Sequence, residues 1–439
     1  MANSYLSRTP GTATNNNKFT LSVWAKRSKL TGDYQAIFDS RISGGGSAGL
    51  GLFWGNDESV WYNSGTSSSA IQNTSTSAKF RDMNAWYHIV VAGDTTQSGT
   101  DKLKIWVNGV QQTSFGNDGR SSFVGLSYDL GNATYANEIG RKHDGTYYYN
   151  GYLSHIAFVD GTALTPTSFG ETDSTSGIWK FKSPSGITWG TNGVHLKFEN
   201  SGAMGTDSSG NSNTYTVGGN LKQALDTPSN VHCTMNPLDK SYSGTAALSN
   251  GNTTVTGDGT WQNMRLGTIG VNSGKWYWEM KINSGNNANM HFGIVPETWN
   301  MNYSSNYFGQ TGYYAFTING SKYANASSSS GSGTFTNGDI VGIALDLNSG
   351  TKTLSVYQNT LVSGSVLNLD STFDGQFWRP MFMGNNSSAS SIGNFNFGNG
   401  FFGTTAITSA GSNGNGSLFE YDVPSGFYAL NTKNINTYG

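Results

Sequence analysis

The chain has 439 residues, enough for two or three domains, and its 59 glycines are roughly twice the share of an average protein. Only 12% of the residues are charged, and 25 basic side chains face 27 acidic ones without a basic cluster, which excludes a nucleic-acid-binding surface. Ser, Thr, Asn and Gly dominate the polar residues, so long helices are improbable and short strands between turns are favoured.

The chain shows no sign of secretion or membrane insertion. Its N-terminal residues lack the charged and apolar regions of a secretion signal, and no apolar run approaches the ~20 residues of a membrane-spanning helix. Cys233 is the only cysteine, so no intramolecular disulfide can form. The ordinary role of such a residue is that of a small buried hydrophobe. Folding without disulfides suits a reducing cytoplasm.

Residues 1–171 predict a first β-sandwich. Lys18–Lys26 alternates, with Phe19, Leu21 and Val23 on one face and Trp24 on the other. Asn108-Gly109 supplies the positive φ angles of a hairpin turn. The Ser-rich stretch Thr66–Ser77 predicts a polar loop. Further strands are predicted at Ala36–Asp39, Gly49–Trp54, Trp86–Ala92, Lys102–Val107, Val110–Thr113, Ala136–Arg141 and Gly151–Asp160.

Residues 172–240 predict a connector with one strand of its own, Val194–Phe198. This strand precedes a loop with the sequence DSSGNSN, which begins at Asp207. The sequence leaves open whether the strand is a permuted element of a sandwich or part of the junction.

Residues 241–403 predict a second β-sandwich, and 404–439 a Gly/Ser/Asn-rich linker and tail. In the tail, Pro424 and Gly426 indicate a turn, while Phe427 and Leu430 indicate docking on a neighbour. The predicted strands of the sandwich are Ser273–Ile282, His291–Val295, Tyr313–Tyr323, Asp339–Asp346, Lys352–Tyr357, Trp378–Gly384 and Asn394–Gly398.

Several phrases resemble known modules. The strands KFTLSVWAK and AWYHIVV, the hairpin KIWVNGV and the closing phrase GYLSHIAFVDGTALTPTSFGE resemble the laminin-G-like, concanavalin-A-like jelly roll, in particular that of virion proteins of tailed bacteriophages, marine ones especially. GKWYWE, FGIV, GDIVGIALD, FWRPMF and NFNFG resemble a SPRY module. LDTPSNVHCTMNPL and YDVPSGFYALNT resemble recurring phrases of the same phage proteins. The resemblance implies an all-β chain of two antiparallel β-sandwiches, exposed on the tail or capsid of a virion.

Jelly rolls include glucanases, whose retaining members need two carboxyl groups about 5–5.5 Å apart. Glu420 and Asp422 have the right spacing along a strand but lie in the tail. Asp57 and Glu58 are adjacent and would point to opposite faces, and Glu279 stands alone in its strand. The sequence predicts no nucleophile elbow and no Gly-rich nucleotide-binding loop between a strand and a helix, and its histidines show no metal-ligand spacing. We expect no enzymatic activity; a carbohydrate-active enzyme would need carboxylates brought together by folding.

Calcium is the one plausible cofactor, since laminin-G-like folds often hold Ca²⁺ by loop oxygens. Asp207, Asn211 and Asn213 offer hard oxygen ligands at alternating spacing. The alternative is an Asx-rich turn that binds no metal.

Aromatic residues among Asn, Asp and Ser are the strongest functional indication. Sugars stack their C–H faces on aromatic rings, while amides and carboxylates bind the hydroxyls. The alternative is core filling or subunit contact, and Trp61 and Tyr62 in particular fit a short strand. The three candidate groups are Trp54, Asn56, Asp57, Trp61 and Tyr62, then Tyr147 and Tyr148, then Trp299, Tyr303 and Tyr307.

The sequence therefore predicts a receptor-binding tail or head fibre protein that recognises host cell-surface glycans and contacts other virion proteins. A homo-oligomer is expected; a trimer is one arrangement, although no heptad repeat marks it, and a closed ring is another. A purely architectural role in the capsid or tail is the main alternative. A secreted adhesin is a weaker one, because the secretion signal is missing.

Overall fold

A computed structural model describes residues 3–30, 32–40, 49–65, 72–125, 136–239, 246–258, 263–284, 290–302, 307–384 and 391–439. The chain divides into two compact units, Met1–Gln223 and Ala224–Gly439. Both are built from antiparallel sheets, which confirms the predicted all-β fold with two sandwiches.

The described strands of the first unit form two large sheets and a hairpin. One sheet has the order β10-β6-β5-β4-β3-β11-β1-β16, the other β15-β12-β2-β7-β8-β9, and β13 pairs with β14. The strands are β1 Tyr5–Arg8, β2 Lys18–Arg27, β3 Gln35–Asp39, β4 Gly49–Trp54, β5 Val60–Gly65, β6 Gln72–Thr76, β7 Tyr87–Asp94, β8 Leu103–Val107, β9 Val110–Gln111, β10 Phe115–Asp118, β11 Asn137–Ile139, β12 Gly151–Asp160, β13 Gly170–Thr172, β14 Trp179–Phe181, β15 Val194–Leu196 and β16 Thr216–Gly218.

Alternation along β2 positions the core of this unit. Phe19, Leu21 and Val23 are fully buried between the two large sheets, as the sequence predicts. The opposite face of this sheet is also covered, because the β13–β14 hairpin packs on His88 of β7 and His155 of β12. There the Trp179 Nε1 donates to His88 Nδ1 at 2.9 Å, and burial lowers the pKa of His88 to about 3. His88 is therefore a neutral residue of the packing.

The predicted connector supplies edge strands to both sheets of the first unit. Its strand β15 pairs with β12, and β16 pairs with β1. The compact unit accordingly extends to Gln223 rather than ending near residue 171. The structure thus places Val194–Leu196 inside the sandwich, on the edge of a sheet.

The described strands of the second unit form two further large sheets and the small hairpin β30–β31. The first sheet has the order β17-β18-β29-β20-β25-β26-β27, with β32 parallel to β20, and the second β19-β28-β21-β22-β23-β24. The strands are β17 Ala247–Ser249, β18 Thr254–Thr256, β19 Met264–Leu266, β20 Lys275–Ser284, β21 Met290–Pro296, β22 Tyr314–Thr317, β23 Ser321–Ala324, β24 Ser327–Ser330, β25 Ile340–Asp346, β26 Thr353–Gln358, β27 Thr360–Asn368, β28 Trp378–Gly384, β29 Ile392–Asn396, β30 Phe401–Phe402, β31 Thr405–Ala406 and β32 Tyr428–Ala429.

The C-terminal segment packs onto the second unit as a strap, which we define as residues 407–431. Phe419, Val423 and Ala429 are buried against Tyr277 and Ala344, on the face of the β20–β25 sheet that points away from the main core. The docking predicted for the tail is therefore present, with Leu430 fully buried in the main core.

Helices are few and short in the described part of the chain. The α-helix α1, Thr432–Tyr438, follows the strap and is capped by the Asn431 side chain. None of these helices is long and apolar enough to cross a membrane. The 3-10 turns are Gly99–Lys102, Arg120–Ser122, Pro166–Ser168, Tyr307–Gly309 and Ser371–Phe373.

One predicted loop contains a strand. The C-terminal part of the stretch Thr66–Ser77 forms β6, whereas residues 66–71 lie outside the described residues. Thr74 and Thr76 are buried, and the Thr76 hydroxyl accepts a hydrogen bond from Val60 N at 3.1 Å. Threonine is a good strand former that satisfies its hydroxyl locally, so a polar sequence can occupy a buried strand.

Candidate functional site

The β10–β16 sheet of the first unit turns one face away from the core, and this outer face is polar. Leu6, Phe38, Leu52 and Tyr62 point into the core, so their neighbours along each strand point outward. The cross-strand register aligns these neighbours in a row, in the order Thr216, Ser7, Glu138, Asp39, Gly51, Asn63 and Asn73.

Three half-buried rings meet on this outer face. Trp61 of β5 lies opposite Phe53 of β4. The Tyr34 ring, just before β3, stands edge-on to Trp61 at 5.5 Å and to Tyr147 at 5.7 Å between centroids. Phe53 lies beneath, 6.4 Å from Tyr34 and almost fully buried. We call Tyr34, Trp61 and Tyr147 the aromatic patch; it joins two groups that the sequence analysis treats as separate.

The backbone holds Tyr147 in place. Its carbonyl accepts a hydrogen bond from Ala36 N at 2.8 Å, which ties the loop to β3. Its φ of 50° lies in the left-handed region, which is uncommon for a residue with a side chain. The Lys142 ammonium lies 5.4 Å from the Tyr147 ring centroid and pairs with Asp144. These contacts position the Tyr147 ring at the edge of β3.

Asp57 fixes the turn beside the patch. Its carboxylate accepts hydrogen bonds from Ser59 N at 3.2 Å and Ser59 Oγ at 2.6 Å, and it pairs with Lys79. Partial burial alone would raise its pKa, but the bonds from Lys79 and Ser59 outweigh this and lower the pKa of Asp57 to about 2. Burial, with a contribution from Asp57, raises the pKa of Tyr34, so its hydroxyl stays protonated at neutral pH.

Two predicted ligand residues of this group belong to the core instead. Trp54 is 0% exposed and Tyr62 is 1% exposed, because both point between the sheets. The Arg27 guanidinium lies 4.7 Å from the Trp54 ring. A ligand cannot reach either ring, so these two residues leave the candidate set, and the alternative of core filling holds for them. Asn56 remains exposed at the turn.

Tyr148 points away from its neighbour in the patch. Its side chain is half-buried and hydrogen bonds with Arg141, near the β1 end of the same outer face. Tyr147 and Tyr148 therefore serve two different places on one sheet.

The loop proposed to bind calcium is held by protein donors. The Asp207 carboxylate accepts from His195 N, Ser209 N, Ser209 Oγ and Asn213 N at 2.8–2.9 Å. Asn211 donates its amide hydrogens to carbonyls, and the Asn213 amide oxygen faces the Arg8 guanidinium.

This donor set does not fit a calcium ion. Ca²⁺ needs 6–8 oxygens, whereas the oxygens of Asp207 and Asn213 already face hydrogen-bond donors, one of them cationic. Groups of three or more His, Cys, Asp or Glu side chains that could hold a metal are also absent from the described ranges. The calcium hypothesis stays a prediction, and the arrangement is that of an Asx-rich turn.

The third predicted group covers a sheet of the second unit. Tyr307 is 0% exposed and donates its hydroxyl to the Met301 carbonyl at 2.8 Å. Trp299 is half-buried and packs on Tyr307 and Tyr313 over a small apolar cluster. Tyr303 lies outside the described residues. Tyr307 is therefore corrected to a packing residue, and the Trp299 ring is largely used in the same contact.

Comparison with known families agrees with these two architectures. Residues 2–168 match the family model described as the concanavalin A-like lectin/glucanases superfamily, a laminin-G-type model. Residues 275–399 match the SPRY domain model. This chain carries a concanavalin A-like domain and a SPRY domain. None of the curated proteins matches it.

Three solved structures show low similarity to part of this chain. The SPRY domain of human HERC1 is 19% identical, with 37% of this chain and 96% of that chain covered. The TRIM65 PSpry domain is 14% identical, with 37% and 88% covered. Stonustoxin is 16% identical, with 37% and 27% covered. The TM-score is 0.29 in each case.

The concanavalin A-like domain does place two carboxylates side by side, which the sequence analysis missed. Glu138 and Asp39 are cross-strand neighbours on the outer face. However, the Asp39 side chain is 0% exposed and hydrogen bonds His143, while Glu138 is 6% exposed and pairs with Arg141. Each is thus engaged by its own partner beneath the surface. A glycosidase needs carboxyl groups that contact the sugar, so this pair has a structural role here.

In the SPRY domain, Glu279 binds the strap. Its carboxylate accepts from Glu420 N at 2.9 Å and Tyr421 N at 2.8 Å, and Tyr277 and Asn396 complete the set. Burial raises the pKa of Glu279 to about 7. Sequence reasoning, which left Glu279 alone in its strand, missed this contact because its partners are backbone groups 141 and 142 positions away.

Tyr34 is the patch residue that sequence reasoning missed. It follows Gly32-Asp33, so it satisfies the same criterion of an aromatic residue in a polar turn that selected the other candidates. Its role becomes visible only when β3, β5 and the loop after β11 are brought together.

Proposed function

We propose that this chain is a non-catalytic adhesion protein that binds glycans on a host cell surface through the aromatic patch of its concanavalin A-like domain. The observation that carries the proposal is the meeting of Tyr34, Trp61 and Tyr147 at 5.5–5.7 Å while each ring stays partly exposed. Partly exposed rings beside amides suit the C–H faces and hydroxyls of a sugar.

The polar row beside the patch supplies the hydrogen-bonding part of such a site. Asn63 donates to Asn73 at 3.1 Å, and both stand on the outer face next to Trp61 and Ser75. The charges at the rim are paired, Lys79 with Asp57 and Lys142 with Asp144. A rim of paired charges beside the rings favours a neutral sugar at the patch itself.

The phage part of the proposal rests on the sequence resemblance. We place the protein on the surface of a tailed-phage virion, in a tail or head fibre, with other virion proteins and a host glycan as partners. Single patches of this kind bind weakly, and several copies on one particle would raise the overall avidity by ~10²–10⁴-fold when they engage together. A homo-oligomer, for example a trimer, fits this mode of action.

Adsorption to host cells tests the function. Fluorescently labelled protein, presented as a multimer, should bind candidate host cells saturably, and periodate oxidation of the cells should abolish the binding. Trp61→Ala should weaken binding about 30-fold, because a central tryptophan contributes ~2 kcal/mol or more. Phe377→Ala, which removes a 40% exposed ring of the SPRY domain, is the matched control and should change little. Equal binding by the two variants would refute the patch as the site.

An architectural role is the second candidate, and β27 favours it. This nine-residue strand ends its sheet, carries no charge and exposes Leu361 at 48% and Val366 at 41%. Uncharged terminal strands with exposed apolar residues are prone to associate with other chains. If the protein assembles through this strand, Val366→Lys should lower its mass in light scattering at high concentration, while Ser425→Lys, at an exposed position outside the strand, is the control for added charge.

A further inference from the structure

The turn that carries Tyr147 also carries a histidine whose orientation is fixed. This turn, residues 141–147, follows β11 and is closed by a hydrogen bond from Lys142 N to the Thr146 carbonyl at 3.0 Å. His143 lies within it and hydrogen bonds to the last residue of β3, on the outer face of the sheet. The aromatic patch and His143 are therefore held by one turn.

Asp39 orients the imidazole ring of His143. The Asp39 side chain is 0% exposed, and its Oδ2 accepts hydrogen bonds from His143 Nδ1 at 2.7 Å and from His143 N at 2.8 Å. Because Oδ2 acts as an acceptor here, Nδ1 carries the proton. In the neutral imidazole the other nitrogen, Nε2, is then a hydrogen-bond acceptor with a fixed direction.

This Nε2 atom is available to a ligand. The His143 side chain is 14% exposed. Within the described ranges its Nε2 forms no hydrogen bond, and it is not one of the buried side-chain atoms left without a partner, so it reaches solvent. The charges beside it are paired, Arg141 with Glu138 and Lys142 with Asp144. An outward-facing acceptor between paired charges suits a hydroxyl group better than an ion.

The distance between His143 and the patch fits two sugar residues. Asp39, which binds His143, lies three residues along β3 from Ala36, whose N donates to the Tyr147 carbonyl. At ~3.3 Å per residue this separation is about 10 Å along the strand. A disaccharide has about this length, so a sugar stacked on the patch would place its neighbour over Asp39 and beside His143.

We propose that His143 is a sugar-binding residue, whose Nε2 accepts a hydrogen bond from a hydroxyl of the sugar next to the one on the aromatic patch. The inference rests on the proposed glycan-binding function. It specifies the ligand of that site as a neutral saccharide of at least two residues, with a hydroxyl free to donate at this position.

Two variants of the full chain separate the roles of the two ring nitrogens. His143→Asn keeps an N–H near the position of Nδ1, so it can still donate to Asp39, but it has no atom at the position of Nε2. His143→Gln reaches the position of Nε2 with an amide oxygen but lacks the donor to Asp39. The probe is polysaccharide extracted from the host cells that adsorb the protein, partly hydrolysed and separated by size.

His143→Asn should bind the disaccharide and longer fractions about three- to tenfold more weakly than the wild type, because one neutral hydrogen bond is lost. His143→Gln should retain more of the affinity than His143→Asn does. Both variants should bind the monosaccharide fraction as the wild type does, since one sugar on the patch does not extend to His143.

If His143→Asn binds the longer fractions as tightly as the wild type while His143→Gln is weakened, His143 acts only through Asp39 and the sugar contact is refuted. Weaker binding of monosaccharides by His143→Asn would show that the substitution disturbs the patch, and it would overturn the inference as well. The proposed function fails separately, because Trp61→Ala should weaken the binding of every size fraction. Unchanged binding by Trp61→Ala would refute the patch, whatever the His143 variants do.

Discussion

The contact between Glu279 and the strap allows a prediction in which pH and mutation are coupled. Glu279→Gln keeps the shape of the side chain but leaves only one oxygen to accept hydrogen bonds. Either Glu420 N or Tyr421 N then faces an amide donor instead of an oxygen. A buried donor without an acceptor costs about 1–3 kcal/mol, so the variant should release the strap more often.

The same residue sets a pH dependence with a definite sign. Burial raises the pKa of Glu279 from 4.5 to about 7, although four hydrogen bonds act to lower it. The folded state therefore binds the proton more tightly than the unfolded state does. Stability from this group is fully present below pH 4.5 and falls by roughly 3 kcal/mol as the pH rises through 7. Glutamine does not titrate, so the stability of the Glu279→Gln variant should not fall in this pH range for this reason.

Hydrogen exchange of the strap measures both effects. After correction for intrinsic rates, amides 420 and 421 of the wild type should lose protection between pH 5.5 and 8.5, whereas those of Glu279→Gln should stay flat. The variant should exchange faster at pH 5.5 and approach the wild type at pH 8.5. Glu420→Gln, whose exposed side chain accepts from Thr408 N rather than from the buried site, is the matched control. Parallel pH curves for Glu279→Gln and the wild type would refute this reasoning.

Three further predictions concern stability. Phe419→Ala should cost about 3–5 kcal/mol of unfolding free energy in denaturant titration, because this ring is 1% exposed against Tyr277, whereas Leu418→Ala, 39% exposed, should stay within about 0.5 kcal/mol. Arg27→Met should cost about 3–5 kcal/mol, since it leaves the Glu58 carboxylate without its partner at 2.7 Å; an unchanged denaturation midpoint would contradict this. Calcium or EDTA should leave the melting temperature unchanged, because protein donors surround the Asp207 oxygens; a rise with calcium would show that the loop rearranges.

The sequence predicts those strands whose pattern of apolar side chains is visible within the strand itself. In β2 every second side chain from Phe19 to Ala25 is apolar, and this period appears without knowledge of any partner strand. The strand β25, IVGIALD, is found for the same reason. The strand β6, QNTST, has no such pattern, because its buried positions carry threonine.

The sequence predicts which types of residue form the candidate site, but not which individual residues belong to it. Trp61 and Tyr147 were selected as aromatics among polar residues, but Trp54 satisfies the same criterion and lies in the core. Whether a ring points inward or outward depends on strand register, which is set by the neighbouring strands. The convergence of Tyr34 and Tyr147 depends on contacts between distant segments, as does the meeting of Arg8 with Asn213, and no local pattern contains this information.

The edge strands β15 and β16 have a consequence for dividing the chain into fragments. A fragment that ends at residue 171 would remove both, and would leave β12 and β1 as open edges of their sheets. Open edges with unpaired backbone groups template association with other chains, so such a fragment should aggregate on expression. A fragment that ends at Gln223 keeps β12 and β1 paired with β15 and β16, and it is therefore the piece in which the proposed glycan binding of this domain should be measured in isolation.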